Sequence, residues 1–212
     1  MEPLSPDVVA SFELTSTGTV GHFLDQGFMD WRIQPVFRPV KLVGRALTVA
    51  SPPTDNSIFR EALETARPGD VLVISRAGDQ RHASWGGILS LAAKLKGIAG
   101  VVIDGAATDW AEITEMRFPV FCKNLSALTT RKQNLGGVLG QTITCGGVTV
   151  STGDVVLGDE DGVVVVPRAQ VDSVLERARA KDAQEARVRE LLHSGMSLAE
   201  ASATAQAEAA KG

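Results

Sequence analysis

Helix-like and strand-like runs of apolar residues alternate along the first half of the chain. Residues 56–67 and 86–97 have apolar side chains three and four positions apart, the spacing that predicts amphipathic helices. Each is followed by a short apolar run, first Val71–Ile74 and then Gly100–Ile103, of the length of a buried strand. The repeated order of helix and strand predicts an α/β domain.

The stretch from Trp85 to Glu112 combines this pattern with candidate chemistry. Ser84 is the expected cap of its helix, Gly86 the first residue and Gly97 the stop. The expected buried face of the helix consists of Ile88, Leu91, Ala92 and Leu95. Asp104-Gly105 predicts a turn that ends the following strand. Because ligands collect beyond the carboxyl ends of strands and helix N-terminal amides attract anions, both edges of this unit are expected to face one pocket.

The C-terminal half of the chain has a different pattern. Residues 123–140 are rich in Ser, Thr, Asn and Gly and predict a long loop. Between residues 141 and 167, short β-branched runs are separated by glycine- and aspartate-containing turns, which predicts close-set antiparallel strands. The expected fold is therefore α/β, with a mixed sheet core and an antiparallel β section.

A long amphipathic helix is predicted over Arg168–Ser194, with Gly195 at its end. Its expected buried stripe consists of Val171, Val174, Leu175, Ala178, Ala186 and Leu192. Residues 197–212 have good helix propensity but little apolar surface, which predicts a frayed or partner-dependent tail. We therefore expect one domain over residues 1–195 and an Ala-rich tail over residues 196–212.

Composition narrows the classes of function. The 212 residues are enough for one domain with a sizeable core. With 21 basic and 25 acidic residues the net charge is −4, and no basic block is present, so a nucleic-acid partner is not expected. No apolar run approaches the ~20 residues of a membrane span, so a membrane partner is not expected either. Cys122 and Cys145 form no CxxC pair and no signal-peptide pattern is present, which favours a reduced, cytoplasmic compartment.

Three carboxylates lie close together in the sequence, at Asp104, Asp109 and Glu112. They could converge on one hard cation such as Mg²⁺, which prefers oxygen ligands and keeps several waters. The alternative is that Asp104 forms a turn, Asp109 caps a helix and Glu112 is solvated. Arg76 and Arg81 are candidate anion partners or, equally, surface charges. The sequence spacing alone leaves these alternatives open.

Several motifs together resemble the RraA-like family. They are Gly87, the pair Thr108-Asp109 after twenty intervening residues, Glu112, and the segments Pro68–Val73 and Gly153–Pro167. The family includes class II aldolases acting on 4-hydroxy-4-methyl-2-oxoglutarate and 4-carboxy-4-hydroxy-2-oxoadipate, related oxaloacetate decarboxylases, and RraA-type proteins. The resemblance implies a swivelling β/β/α domain with a long C-terminal helix, assembled as a homotrimer or a dimer of trimers with the site between subunits.

The resemblance also implies roles for individual residues in a lyase that forms a pyruvate enolate from a small 2-oxo acid. Asp109 would hold Mg²⁺ or Mn²⁺. The outer acidic residues would be Asp104, Glu112 and Glu185, the last lent by a neighbouring subunit. The amides that bind the substrate carboxylate would be those of Gly87, Ile88 and Leu89.

Thr108 departs from the family pattern at a catalytic position. The family has an Arg immediately before the Asp, where it would contact the oxyanion, and a neutral hydroxyl cannot replace a forked cation. Loss of one oxyanion contact typically costs ~10²- to 10³-fold in rate. The alternative function is therefore a non-catalytic RraA-like oligomer that binds or regulates a partner protein, which Thr108 favours and the acidic cluster opposes.

Overall fold

The computed structural model describes residues 2–210, which form a mixed β-sheet with helices packed on it and a separate two-stranded ribbon. The N-terminal half contains α1 (Pro6–Leu14), α2 (Thr17–Gly21), β1 (Gln34–Pro35), β2 (Leu42–Ala50), α3 (Ile58–Thr65), β3 (Asp70–Ser75), β4 (Ala83–Trp85), α4 (Gly87–Leu95) and β5 (Gly100–Ala107). The C-terminal half contains α5 (Trp110–Met116), β6 (Val120–Leu125), β7 (Val138–Leu139), β8 (Ile143–Cys145), β9 (Val148–Val150), β10 (Val155–Asp159), β11 (Gly162–Val166), α6 (Val171–His193) and α7 (Leu198–Ala209).

The main sheet has the strand order β1-β6-β5-β3-β2-β10-β11, with β4 added beside β5 and β7 beside β2. Strands β2, β3, β5 and β6 are parallel, whereas β10 and β11 are antiparallel, and β8 pairs only with β9. Val71–Ile74 and Gly100–Ile103 are buried throughout, as strands covered on both faces of a parallel sheet must be. The predicted α/β class with a mixed sheet, an antiparallel section and a long C-terminal helix is confirmed.

The apolar face of α4 does not lie where the sequence pattern predicted it. Ile88 and Leu95 are 76% and 80% exposed, and the helix instead buries Gly87, Ser90 and Ala93. The fully buried Trp85 explains this orientation, because its Nε1 donates a hydrogen bond of 2.9 Å to Ser90 Oγ and turns the small residues toward the sheet. As a result α4 presents a row of apolar side chains to solvent.

Strand β5 is longer than the sequence predicted. Asp104-Gly105 does not end it, because β4 pairs with its last two residues and β6 resumes pairing after an irregularity. Gly105 permits close contact here, since a Cβ at this position would lie 2.8 Å from Arg76 Cγ. Ser84 is likewise a residue of β4 and not the helix cap, a position occupied by Gly86. Asp104 is therefore a strand residue.

The C-terminal segment forms a helical hairpin. The first half of α6 buries the predicted stripe, but farther along Leu191 is buried in place of Ala186 and Leu192. Instead of fraying, residues 198–209 form α7, which begins with a capping box between Ser197 and Glu200 and packs small alanines against α6. The division into a domain and a tail at residues 195 and 196 stays a prediction.

Two findings concern the expected environment of the protein. Within residues 2–210, no helix combines the length and apolarity needed to cross a membrane. Cys122 and Cys145 are both buried thiols that form no disulfide. The cytoplasmic location expected from the sequence stays a prediction.

Hydrogen bonds to Asp55 connect the long loop after β6 to the start of α3. Its fully buried carboxylate accepts hydrogen bonds from the amides of Gln133 at 2.8 Å, Leu135 at 2.7 Å and Ser57 at 3.1 Å, and from the Ser57 hydroxyl. Burial alone would raise the pKa of Asp55, but these hydrogen bonds favour the charged form and hold its pKa well below the ordinary range. The charged carboxylate therefore helps to order the loop.

We predict that Asp55→Asn lowers Tm by about 5 to 10 °C near neutral pH, because a neutral amide satisfies these donors less well. The lowered pKa makes the contribution of Asp55 complete above the unfolded-state value of ~3.9 and progressively lost as the pH falls below it. Thermal unfolding of both proteins between pH ~2.5 and ~7 should therefore show the difference in Tm shrinking on the acid side. An equal difference at every pH would contradict the role of the charge.

Candidate functional site

The start of α4 lies directly against the turn between β5 and α5. Asp109 occupies this turn in a left-handed conformation, with φ 57° and ψ 43°, which is costly for a residue with a side chain. The conformation brings Asp109 Oδ2 within 2.9 Å of the Gly87 amide nitrogen, which donates a hydrogen bond to it. A Cβ on Gly86 would lie 2.4 Å from the same oxygen. The glycine is therefore needed for the close approach of the carboxylate.

A second carboxylate covers the next glycine. Glu112 lies in the first turn of α5, and a Cβ on Gly87 would lie 1.9 Å from its Oε2. Both acidic side chains thus point at the positive end of α4, where first-turn amides have no intrahelical acceptor. Within residues 2–210, the Ile88 and Leu89 amides of this turn have no hydrogen-bond acceptor. The Leu89 side chain packs against the apolar core, and Ile88 projects into solvent.

Thr108 completes this side of the site. Its amide donates to the Trp85 carbonyl at 2.9 Å, and its hydroxyl donates to Asp109 Oδ1 at 3.2 Å. A cavity of about 250 Å³ adjoins these groups and is lined by Thr108, Asp109, Trp110, Leu125, Ser126 and Ala127. The lining combines one carboxylate with two hydroxyls and three apolar side chains.

Asp104 lies apart from Asp109 and Glu112. Its carboxylate points toward the β8–β9 ribbon, where it pairs with the Lys123 ammonium and accepts a hydrogen bond of 2.8 Å from the Gly146 amide. Lys123 also lies 3.3 Å from Asp30 Oδ2. Burial disfavours the charge on Lys123, but the two carboxylates outweigh this effect and raise its pKa. Of the two alternatives left open by the sequence, convergence of all three carboxylates on one cation is not found, because β5 continues through Asp104 and its carboxylate is held by Lys123 and Gly146.

Glu185 also lies away from the glycine pair within the single chain. It is part of α6, where its carboxylate lies 3.1 Å from His22 Nε2, 3.4 Å from Lys181 Nζ and 2.9 Å from Arg189 Nη2. Glu185 and these three basic side chains thus form one cluster of ionisable groups.

The two arginines considered as anion partners differ in burial and in their contacts. Arg76 is fully buried, and its guanidinium donates to Ser51 Oγ at 2.7 Å and to the carbonyl oxygens of Pro52 and Pro53. Burial lowers the pKa of Arg76. Its hydrogen bonds hold the segment after β2, and its Nη2 lies 3.5 Å from the Asp79 carboxylate, so the guanidinium is already paired within the chain. Arg81 is exposed and does not line the cavity beside Asp109.

Sequence reasoning missed the pairing of Lys123 with Asp30 and Asp104 and the burial of Arg76. No local signal identifies either, because the partners are separated by many residues and meet only through the sheet. Across residues 2–210, no group of three or more His, Cys, Asp and Glu side chains is arranged to hold a metal ion. The acidic side chains at the start of α4 are Asp109 and Glu112, which we call the acidic pair.

Comparison with known proteins identifies the family. The model of the RraA-like family, described as Aldolase/RraA, matches residues 19–165, and the chain belongs to this family. A relative from Halalkalibacterium halodurans, named "Putative 4-hydroxy-4-methyl-2-oxoglutarate aldolase", is 35% identical over 195 residues, covering 91% of this chain and 92% of the relative.

Solved structures give the same assignment of fold. An uncharacterized protein from Pseudomonas syringae pv. tomato superposes with a TM-score of 0.84 at 27% identity and covers 96% of each chain. Streptomyces coelicolor RraAS2, described as an unusual member of the RNase ES inhibitor RraA protein family, gives a TM-score of 0.78 at 25% identity, covering 89% of this chain and 98% of that one.

The contact between Gly87 and Glu112 can be measured by a double-mutant cycle. Gly87→Ala should destabilise the protein when Glu112 is present, because the new Cβ displaces the carboxylate. In a Glu112→Ala background the same change should be neutral or stabilising, since Ala favours a helix more than Gly does. The unfolding free energies should give a coupling of about 1 kcal/mol or more.

Gly18→Ala is the matched control for this cycle, because its Cβ would make only an ordinary contact of 3.6 Å with Ser16 Oγ. It should show no coupling to Glu112→Ala. Additive effects of the Gly87 and Glu112 substitutions would show that the carboxylate does not occupy the space above the glycine.

Proposed function

We propose that this protein is a divalent-metal-dependent carbon–carbon lyase that forms a pyruvate enolate from a 4-hydroxy-2-oxo acid, with oxaloacetate decarboxylation as a second reaction through the same enolate. The observation that carries the proposal is the placement of Asp109 and Glu112 over the amides that begin α4, at the carboxyl end of β5. Ligands of open α/β sheets collect at this edge. The aldolase name of the relative from Halalkalibacterium halodurans supports the same class of reaction.

The acidic pair fits a hard divalent cation. Mg²⁺ keeps several waters and is commonly held by one or two carboxylates together with its substrate, so a full cage of protein ligands is not required. Asp109 would hold Mg²⁺ or Mn²⁺, and Glu112 would hold its waters. When bound, the cation supplies Lewis-acid stabilisation of the charge that develops on the 2-oxo group.

The protein's own groups supply binding and proton transfer. The Ile88 and Leu89 amides are free to bind the substrate carboxylate at the positive end of α4, whereas the Gly87 amide is held by Asp109. Glu112 is the candidate to accept the proton of the 4-hydroxyl as the C3–C4 bond breaks and C4 becomes a carbonyl. The electron pair remains as the enolate, which takes that proton from Glu112 at C3 to give pyruvate and restores the carboxylate.

The assembly belongs to the same proposal. We expect a homotrimer or a dimer of trimers, in which Glu185 of one subunit reaches the α4 start of another. The exposed Ile88, Leu91 and Leu95 support this arrangement, because a contiguous apolar face on a helix is typical of an interface. A heterologous contact of this kind closes into a ring when the rotation permits it.

A non-catalytic RraA-like binding protein is the second candidate function. The specific observation in its favour is Thr108. At the position where an arginine side chain would stabilise an oxyanion, Thr108 offers only a hydroxyl, and that hydroxyl already donates to Asp109. Streptomyces coelicolor RraAS2, a solved structure with the same fold, is described as an unusual member of a family of RNase ES inhibitors.

Exchange of the pyruvate methyl protons for deuterium separates these two functions, because it reports enolate formation directly. We predict exchange that requires Mg²⁺ or Mn²⁺, is abolished by Asp109→Asn and increases at least tenfold in Thr108→Arg. Asn is the matched change at position 109 because it tolerates the left-handed conformation. Exchange no faster than the metal-only background would refute the lyase proposal and favour the binding protein.

Light scattering tests the assembly. Wild-type protein should have the mass of three or six chains, and Leu95→Asp should shift it toward monomer and reduce proton exchange, because the charge lies in the apolar face of α4. Leu14→Asp is the matched control, since Leu14 is an exposed leucine of α1. A monomeric wild-type protein would remove Glu185 from the site.

A further inference from the structure

A second cavity lies between α3 and α4. Its volume is about 490 Å³, which is within the range of small-molecule sites. The lining comes from these two helices, from Asn56 and Ser57 before α3, and from Lys132 in the loop after β6. None of these residues lines the cavity beside Asp109. The two cavities are therefore separate within the chain.

Part of the lining between α3 and α4 is apolar. Phe59 is fully buried, and its ring meets that of Trp85 edge to face with the centroids 5.9 Å apart. Leu63 and Leu89 pack against the same core and remain partly exposed at the cavity. Ala92 adds only a methyl group, which leaves space between the helices. An apolar group that enters would leave water for a preformed surface.

The charged part of the lining is mainly basic. It contains Arg60, Lys96 and Lys132, with Glu64 as the acidic residue. The Lys96 ammonium is already bound, because it donates to the carbonyl oxygens of Leu63 and Glu64 near the end of α3. Among residues 2–210, no acidic side chain pairs with Arg60 or Lys132. Two cations therefore remain to bind an anion.

The backbone on both sides of Lys132 is fixed. The Arg131 amide donates to the Thr54 carbonyl at 3.0 Å, and the Gln133 amide donates to the buried Asp55 carboxylate at 2.8 Å. Lys132 is thus held beside the segment that leads into α3. A cation on a fixed backbone loses less conformational freedom when it binds a ligand than one on a mobile loop.

We propose that this cavity binds an organic anion with an aromatic or branched apolar body. The anionic group would lie at Arg60 and Lys132, where the positive end of α3 adds to their charge, and the body would pack on Leu63 and Leu89. A neutral ligand would leave the cations unpaired, and a small anion would leave the apolar lining in water. The site needs neither the metal nor the acidic pair, so it does not depend on the proposed function.

The apolar face of α4 proposed for assembly does not include the residues of that helix that line the cavity. Successive residues of an α-helix are about 100° apart around its axis. Leu89 and Ala92 therefore face a different direction from Ile88, Leu91 and Leu95. The proposed assembly does not require this cavity to be covered.

Isothermal titration calorimetry of the full-length protein tests the class of ligand. The probe is 2-naphthoate, with 2-naphthamide as its neutral analogue and acetate as the anion without an apolar body. The Kd of 2-naphthoate should be at least tenfold below that of either comparison compound. No binding of 2-naphthoate, or equal binding of 2-naphthamide or acetate, would overturn the proposal.

Substitutions then locate the bound probe. Lys132→Glu reverses a charge and Ala92→Phe fills the cavity, so each should raise the Kd of 2-naphthoate at least tenfold. Lys94→Glu and Ala180→Phe make the same changes at exposed helical positions outside the cavity and should leave the Kd unchanged. Saturating pyruvate with Mg²⁺ should also leave it unchanged, because their proposed site is at Asp109.

Three results would contradict this location. They are an unchanged Kd in both cavity variants, displacement of the probe by pyruvate, and a change in the mass of the assembly in either variant. The last result, measured by light scattering, would assign the cavity to a contact between chains. Circular dichroism checks that each variant is folded, and Arg60→Glu, with the same expected rise in Kd, replaces any variant that is not.

Discussion

Close approach of two carboxylates to the first turn of α4 is the constraint on which the site depends. It requires glycine at positions 86 and 87 and a left-handed residue at position 109, and the hydrogen bond between Gly87 and Asp109 joins the two segments. The first-turn amides of the helix, which have no acceptor within the helix, compensate the negative charge of the acids. The same amides and acids are the groups that a 2-oxo acid and a divalent cation would use.

Strand pairing in the sheet positions Asp109 beside the start of α4. Because β5 continues to Ala107 and pairs with β4 at its end, the turn carrying Asp109 emerges beside the strand that leads into α4. Buried Trp85, bonded to Ser90, fixes the rotation of the helix and leaves Ile88, Leu91 and Leu95 exposed. The contact that orients the candidate site thus also creates the apolar face proposed for assembly.

The structure agrees with the sequence where the signal is local and departs from it where distant residues decide. Alternating helices and strands, the glycine start of α4 and the Gly97 stop follow from spacing and turn chemistry. Periodicity cannot distinguish a buried apolar face from an exposed one, so the spacing predicts the wrong buried face for α4. Short sequence spacing groups Asp104 with Asp109. The structure separates them through the pairing of β5 with β4 and the Lys123 contact, which involve residues far apart in the chain and leave no local signal.

A crystal structure with Mg²⁺ and pyruvate would show directly what the start of α4 binds. We expect a cation held by Asp109 and a pyruvate carboxylate on the Ile88 and Leu89 amides. A structure in which Asp109 contacts only the Gly87 amide, while cation and pyruvate bind elsewhere or not at all, would contradict it. Asp109 and Glu112 would then serve only to stabilise the end of the helix.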